Sequence, residues 1–209
     1  VQYQGRGQRG RSFCSPPGGL YFSLLLRPPL SPPQAPPLTL LAGVAVARGL
    51  RRLTGLPIGL RWPNDLVLHH KKVGGILVEM ELKGGEIAFL IIGVGINVHT
   101  RWSDFPEPLR PSVITLAAEY RQPLTQEQLL CELLLELETW YTTLLSHGMA
   151  PILDTWRALA VGLGEPVRLK VGTEEITGIV HGIDAAGNLV VRDQQGRVRT
   201  VAAGEYNHP

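Results

Sequence analysis

Lys71-Lys72-Val73-Gly74-Gly75-Ile76-Leu77-Val78-Glu79-Met80-Glu81-Leu82-Lys83-Gly84-Gly85-Glu86-Ile87-Ala88-Phe89-Leu90-Ile91-Ile92-Gly93-Val94-Gly95-Ile96-Asn97 is the stretch that decides the fold. Two runs rich in apolar and β-branched residues flank a Lys-Gly-Gly turn. That predicts a hairpin, with strands over 73–81 and 86–98. Residues 90–96 are apolar on both faces, as expected of a strand at the centre of a sheet. Gly74, Gly75, Gly93 and Gly95 interrupt these strands. Strand glycines mark bulges or places where a ligand or another backbone comes close.

Working outward, residues 59–62 and 66–68 read as short strands around a Pro63-Asn64-Asp65 turn. Residues 20–26 read as a strand, followed by a Pro-rich surface connection from Arg27 to Pro37. A helix is predicted over 38–53, ending before Gly55-Leu56-Pro57. Downstream, Thr125 and Gln128 form a capping box. Leu130, Leu133, Leu134, Leu137, Tyr141, Leu144 and Leu145 then recur at threes and fours as one apolar helix face, and Gly148 ends the helix. Glu127, Glu132, Glu136 and Glu138 read as its solvated flank. A second helix over 150–159 carries Pro151 in its first turn. From Glu165 the period changes to two, and four or five short strands with tight turns fit a small SH3-like β-barrel. The expected class is α/β (α+β), a mixed sheet backed by helices over 1–162, then the barrel over 163–209.

Glycine and proline, 24 and 17 of 209 residues, make up a fifth of the chain, short of a low-complexity composition. Collagen, coiled coil and general disorder are excluded. No apolar run reaches the length of a membrane-spanning helix, roughly 18 residues. Two cysteines, Cys14 and Cys131, cannot build a disulfide framework, which points to a reducing compartment, the cytoplasm. Net charge is +2 but unevenly spread. Residues 1–72 hold ten bases and one acid, Asp65; the remainder holds ten bases and seventeen acids. A basic half suggests an anionic ligand, with nucleic acid and a nucleoside triphosphate as candidates.

Four motifs could carry chemistry. Gly5-Arg6-Gly7-Gln8-Arg9-Gly10-Arg11 frees its backbone to approach an anion, and its guanidinium groups can clamp phosphate or carboxylate. The same residues also suit a flexible basic loop or an RNA-binding tail. Arg61-Trp62-Pro63-Asn64-Asp65 fixes polar groups at the exit of a strand, where Asp65 could orient a cation or a magnesium ion near phosphates; a plain turn is the alternative. Lys72 stands before the Gly74-Gly75 pair, a point charge within reach of carboxylate or phosphate. Asn97 closes Gly93-Val94-Gly95-Ile96-Asn97 and would face whatever lies above the sheet. His69 and His70 are adjacent, so their side chains diverge on a strand and no dedicated metal site is expected.

Taken in order, Gly5 to Arg11, Ser15-Pro16-Pro17-Gly18-Gly19-Leu20-Tyr21, Trp62-Pro63-Asn64-Asp65, Lys71 to Leu77 and Gly93 to Asn97 resemble the biotin protein ligases, and the small C-terminal barrel fits as well. The resemblance covers essentially the whole chain. It implies a class II synthetase-like fold and an ATP-dependent ligase. Biotin would be activated as biotinyl-AMP and passed to a lysine of a biotin carboxyl carrier protein domain, such as that of acetyl-CoA carboxylase. It implies that Lys72 contacts the biotin carboxylate and the α-phosphate, with Arg6 also catalytic. Gln2, Gly5, Arg6, Gly7, Gln8, Lys72, Gly74 and Gly75 would form the biotin side. Arg9, Arg11, Trp62, Asn64, Asp65 and Asn97 would form the ATP side, with Mg2+ arriving on ATP near Asp65.

Two departures from the family pattern carry consequences. Gln8 stands where the family often has a second arginine, so an adenylate would be held by a neutral amide. The family also has a strand and helix ahead of the position of Gln2, so part of the biotin pocket is expected before Val1. A lipoate ligase is disfavoured because its arginine-and-triple-glycine signature is missing. A nucleic-acid-binding module is disfavoured by the acidic second half, and an inactive partial domain is the third alternative. No membrane partner is expected, and a homodimer is compatible with the sequence.

Overall fold

The computed structural model describes residues 1–206, with the side chains of Arg9 and Glu205 outside the described set. Five strands form the first sheet: β1 (Leu20–Leu26), β2 (Gly59–Arg61), β3 (Asp65–Leu68), β4 (Lys71–Lys83) and β5 (Glu86–Ile96). Their order is β1-β5-β4-β3-β2. Every ladder between them is antiparallel; parallel pairing is confined to the isolated bridges Leu60 to Ala160 and Lys72 to Val113. The apolar run lies in β5, an interior strand flanked by β1 and β4, while β4 takes the middle place. Both tight hairpins turn on two residues with positive φ: Gly84 and Gly85 (64° and 84°), and His69 and His70 (49° and 62°). Such turns match the twist of paired strands. Glycine adopts them freely, whereas the two histidines do so at some cost in strain.

One face of this sheet is covered by helix α1 (Leu38–Thr54), whose residues 40–47 are all buried. Gly43 lies against Leu60, and Gly49 against Leu133 of helix α3 (Gln126–His147). The small residues of α1 let sheet and second helix layer approach from opposite sides. Helix α2 (Leu116–Glu119) is a single turn, and α4 (Ala150–Leu159) packs beside α1 and α3.

The capping box of α3 forms as predicted, with Thr125 Oγ1 accepting from the Gln128 N–H at 3.1 Å. The buried seam differs from the predicted one. Leu129, Leu133, Leu137 and Leu144 are buried, while Leu134 and Leu145 are exposed. Glu136 is a correction too. It is 8% exposed, accepts from Trp140 Nε1 at 3.1 Å and pairs with Arg48 and Arg52 of α1 at 3.8 Å each. The α1 arginines draw the acidic edge of α3 into the interface.

The second sheet holds β6 (Pro166–Val171), β7 (Glu174–Ile183), β8 (Leu189–Arg192), β9 (Val198–Val201) and β10 (Glu205–Tyr206), ordered β10-β6-β7-β8-β9. It is joined to the first unit by Trp62, which is buried and donates its indole N–H to Gly187 O at 3.1 Å. No helix among the described residues is long and apolar enough to cross a membrane.

Candidate active site

The register of the first sheet builds the site. Arg61 pairs with Asp65, Asp65 with Gly75, Gly75 with Gly95, and Gly95 with Tyr21. Directly paired residues share a face, so these five form one row across all five strands, on the face away from α1. Two bare glycines make a trough in the middle. An ion pair stands at one end and an aromatic ring at the other.

Lys72 joins this row through a β-bulge. It lies three positions before Gly75, which in a regular strand would place them on opposite faces. The ladder shifts between Leu66 and Val67, so that Leu66 pairs with Gly74 but Val67 pairs with Lys72. The extra residue, Val73, turns Lys72 onto the Asp65 face, which is what bulges do beside functional sites. Lys72 Nζ then lies 2.5 Å from Asp65 Oδ1, and Arg61 Nη2 donates to Asp65 Oδ2 at 2.8 Å. A Cβ on Gly75 would sit 3.3 Å from the Lys72 ammonium. The missing side chain is what leaves that charge facing the trough.

Asp65 is held ionised. Burial alone would raise its carboxyl, but the Lys72 charge and the Arg61 hydrogen bond outweigh that and keep it below the usual carboxylate range. Both its oxygens face cations of the protein. It therefore does not fit the expected magnesium contact, and the described residues include no cluster of three metal-ligating side chains.

Phe13 lies in the trough. A Cβ on Gly95 would fall 2.5 Å from its ring, Tyr21 meets it edge-on with centroids 6.3 Å apart, and Lys72 Nζ is 5.9 Å from its centre. Phe13 is carried by the basic glycine loop, which folds back on itself. Phe13 N–H donates to Gly5 O at 2.8 Å, and Gly7 N–H to Arg11 O at 2.7 Å. Gln2 anchors the start, accepting from Ser15 Oγ at 2.9 Å. Arg6 is exposed and reaches Glu79 at 3.7 Å; Arg11 Nε donates to Gln8 O at 3.4 Å. Arg9 sits in the turn Gln8–Gly10, its side chain outside the described residues. Loop and trough enclose a cavity of about 540 Å3 that Gln2, Arg6, Gly7, Gln8, Arg11, Asp65, Lys72 and Gly75 all border.

Four of the expected site residues, Gly74, Asn64, Asn97 and Trp62, border the cavity as well, but each also has a task in the fold. Gly74 faces the helix side, where a Cβ would be 2.6 Å from Gly95 O and 3.0 Å from Leu66; its bareness serves packing. Asn64 gives its amide to Ile76 O at 2.7 Å and holds the turn. Asn97 is buried and donates to Ile114 O (3.1 Å) and Lys72 O (3.4 Å), clamping the strand that carries Lys72. Trp62 borders the cavity but spends its N–H on Gly187. Sequence reading missed two side chains at this site, Phe13 and Tyr206, and named Arg61 within a motif without giving it a role. Phe13 and Tyr206 border the cavity, and Arg61 completes the charge row. Arg61 stands at the head of the Arg61-Trp62-Pro63-Asn64-Asp65 motif; Tyr206 offered no signal, lying 145 positions from Arg61.

Residues 1–97 match the Biotin/lipoate A/B protein ligase family, and residues 162–205 match the Biotin protein ligase C terminal domain. The Biotin--[acetyl-CoA-carboxylase] ligase of Paracoccus denitrificans is 34% identical over 199 residues, covering 94% of this chain and 83% of that protein. The bifunctional ligase/repressor BirA of Bacillus spizizenii is 35% identical over 196 residues, covering 93% of this chain and 60% of that protein. The chain thus spans about three fifths of the length of that ligase/repressor. Among solved structures, the biotin protein ligase of Aquifex aeolicus in complex with biotin and ATP superposes with a TM-score of 0.83 at 31% identity, covering 99% of this chain and 84% of that one. With these likenesses added to the two sheets and the basic loop, the chain belongs to the biotin protein ligase family.

Proposed function

We propose that this chain activates biotin with ATP and transfers it to a lysine of a biotin carboxyl carrier domain, such as that of acetyl-CoA carboxylase. One observation carries the reading: a lysine ammonium, aimed by a bulge and steadied by a buried carboxylate, stands beside a glycine trough under a basic loop. In the first step a biotin carboxylate oxygen bonds to the α-phosphorus of ATP and pyrophosphate leaves. In the second, the carrier amine bonds to the acyl carbon, AMP leaves and the amine loses a proton. Two anions must meet in the first step, and fixed positive charge at the meeting point lowers its barrier.

Lys72 lies between the two anions and contacts both. Gly75 and Gly95 admit the fused biotin rings to the sheet, with Phe13 as a wall. Arg61 has a buried Nε–H without a partner in the described structure, which suits a phosphate oxygen. Arg6, Arg9, Arg11 and Gln8 close over the adenylate, with Gln2 and Gly5 to Gly7 on the biotin side. Mg2+ enters as part of the nucleotide, since Asp65 is already committed to two cations. The edge strand β1 is open, with Leu25 exposed, which is compatible with a homodimer.

The test is biotin-dependent exchange of labelled pyrophosphate into ATP, run beside lipoate. Exchange with biotin and none with lipoate is expected. Absence of exchange with biotin, or equal exchange with lipoate, overturns the reading.

A further inference from the structure

The last described strand places an aromatic ring at the end of the charge row. Tyr206 lies in β10, pairs with Leu169 of β6, and borders the same cavity as Lys72. The Arg61 guanidinium carbon is 5.6 Å from the Tyr206 ring centre. The sequence Tyr206, Arg61, Asp65, Lys72 is thus one contiguous chain of contacts from the second sheet to the centre of the trough.

We propose that Tyr206 is a positioning residue: its ring covers the face of Arg61, keeps water from the Arg61–Asp65 pair, and so holds Asp65 where it aims Lys72. This rests on the ligase reading for its effect on rate, but not for its effect on Arg61.

Three observations support it. Arg61 and Asp65 have side chains only 15% and 18% exposed, so one more covering group decides how wet their pair is. An ion pair strengthens as water leaves it, and a cation over an aromatic face is attracted by the ring. The ring's place is itself fixed at a distance. Trp62, next to Arg61 in sequence, donates to Gly187, and a Cβ on Gly187 would lie 2.7 Å from Leu40 of α1. The second sheet cannot slide along the first without breaking that bond. The phenol, pushed up to about 12 by burial with Asp65 adding to the shift and Arg61 opposing it, stays neutral across the working pH range. The ring therefore adds no charge of its own to the row.

The experiment compares the full chain with Tyr206→Phe and Tyr206→Ala. Arginines are modified with phenylglyoxal and mapped by mass spectrometry, with exposed Arg27 as internal reference. Pyrophosphate exchange is measured as kcat and as KM for biotin and ATP. Tyr206→Ala should speed labelling of Arg61 roughly fivefold over Arg27 and lower kcat about tenfold, while Tyr206→Phe keeps both near the parent because the ring face remains. Equal labelling of Arg61 in parent and Tyr206→Ala overturns the proposal, as does a Tyr206→Phe variant as impaired as the alanine one. If Tyr206→Ala unfolds, which thermal melting would reveal, Tyr206→Thr, β-branched for the strand but without a ring, takes its place: Arg61 labelled as in the parent then overturns the proposal, and faster labelling supports it. A parent without exchange overturns the ligase reading, and the labelling arm still decides whether Tyr206 covers Arg61.

Discussion

The charge row on the sheet and the basic loop above it both carry cations, and they carry them differently. Lys72 and Arg61 are held by strand register, a bulge and a shared carboxylate within 2.8 Å. Arg6 is 76% exposed and touches one acid at 3.7 Å. The sheet fixes where charge stands; the loop supplies charge that can move. A reaction joining two anions and then retaining a reactive intermediate needs both kinds. Preorganised charge lowers the barrier, and a closing segment excludes water. Damage to the row should therefore strike rate, and damage to the loop should strike retention.

The hardest test of that division is Lys72→Ala. It removes the charge beside Gly75 while leaving the ladder intact, so the fold should survive. Adenylate formation should fall on the order of a hundredfold or more, the scale of losing one oriented transition-state contact. A variant forming biotinyl-AMP at near the parental rate would sink the division.

Gly74→Val separates packing from approach among the glycines. Its first carbon would meet Gly95 O at 2.6 Å and Ile96 Cα at 3.4 Å in the β5 backbone, with the buried Leu66 side chain at 3.0 Å and little room to yield. Destabilisation of about 2–3 kcal/mol is expected, the scale of overpacking a tight interior. Gly75→Ala meets only the flexible end of Lys72 and the Phe13 ring at 3.3–3.5 Å. It should unfold near the parental midpoint and lose exchange activity. Chemical denaturation and exchange rates on both variants check this; a stable, inactive Gly74→Val beside an unstable Gly75→Ala would reverse the two assignments.

Farther from the site, Glu136→Ala removes the acid shared by Arg48, Arg52 and Trp140. Its carboxylate is largely buried, and the indole N–H loses its partner. About 1–2 kcal/mol of stability should go, with exchange kinetics unchanged below the new midpoint. A loss of less than a few tenths would mean the helix layer does not depend on this contact.

Much of the fold is legible in the chain because it is local. The Gly84-Gly85 turn, the capping box and the α1 stop at Gly55 all act within a few residues, and each forms where predicted. His69 and His70, read as strand residues, instead make a hairpin turn at positive φ. The other errors are long-range. Leu134 and Leu145 satisfy the helical period but face outward, because α1 meets α3 along Leu129, Leu133 and Leu137. Glu136 looks like surface until two arginines from 84 and 88 positions upstream are placed beside it. At the site, Lys72 and Gly75 carry signals of their own. That they share a face depends on a bulge, which the residue pattern does not announce. Asn97 signals polarity at a strand end but not which partners use it, and here they are two carbonyls of neighbouring segments.

The gentlest probe acts on the loop. Gln8 opens the turn Gln8–Gly10, its carbonyl accepts from the backbone N–H of Arg11 at 3.3 Å, and the residue borders the cavity. Gln8→Arg leaves that backbone bond untouched and adds a guanidinium above the trough. A hydrogen bond to a charged partner is worth about 1 kcal/mol more than a neutral one, equivalent to roughly a fivefold slower release of biotinyl-AMP. Ordering a longer side chain on an exposed loop works against part of this, so the effect should fall between twofold and about fivefold. The rate of adenylate formation should hardly change, because Lys72, Asp65 and Arg61 stay where they are. Stopped-flow dissociation of biotinyl-AMP, alongside single-turnover formation, reads both quantities. Slower release with unchanged formation places Gln8 over the intermediate and keeps loop and row in separate roles. Equal release in both proteins places it elsewhere, and faster formation would mean that the loop contributes to the field at the reacting phosphorus.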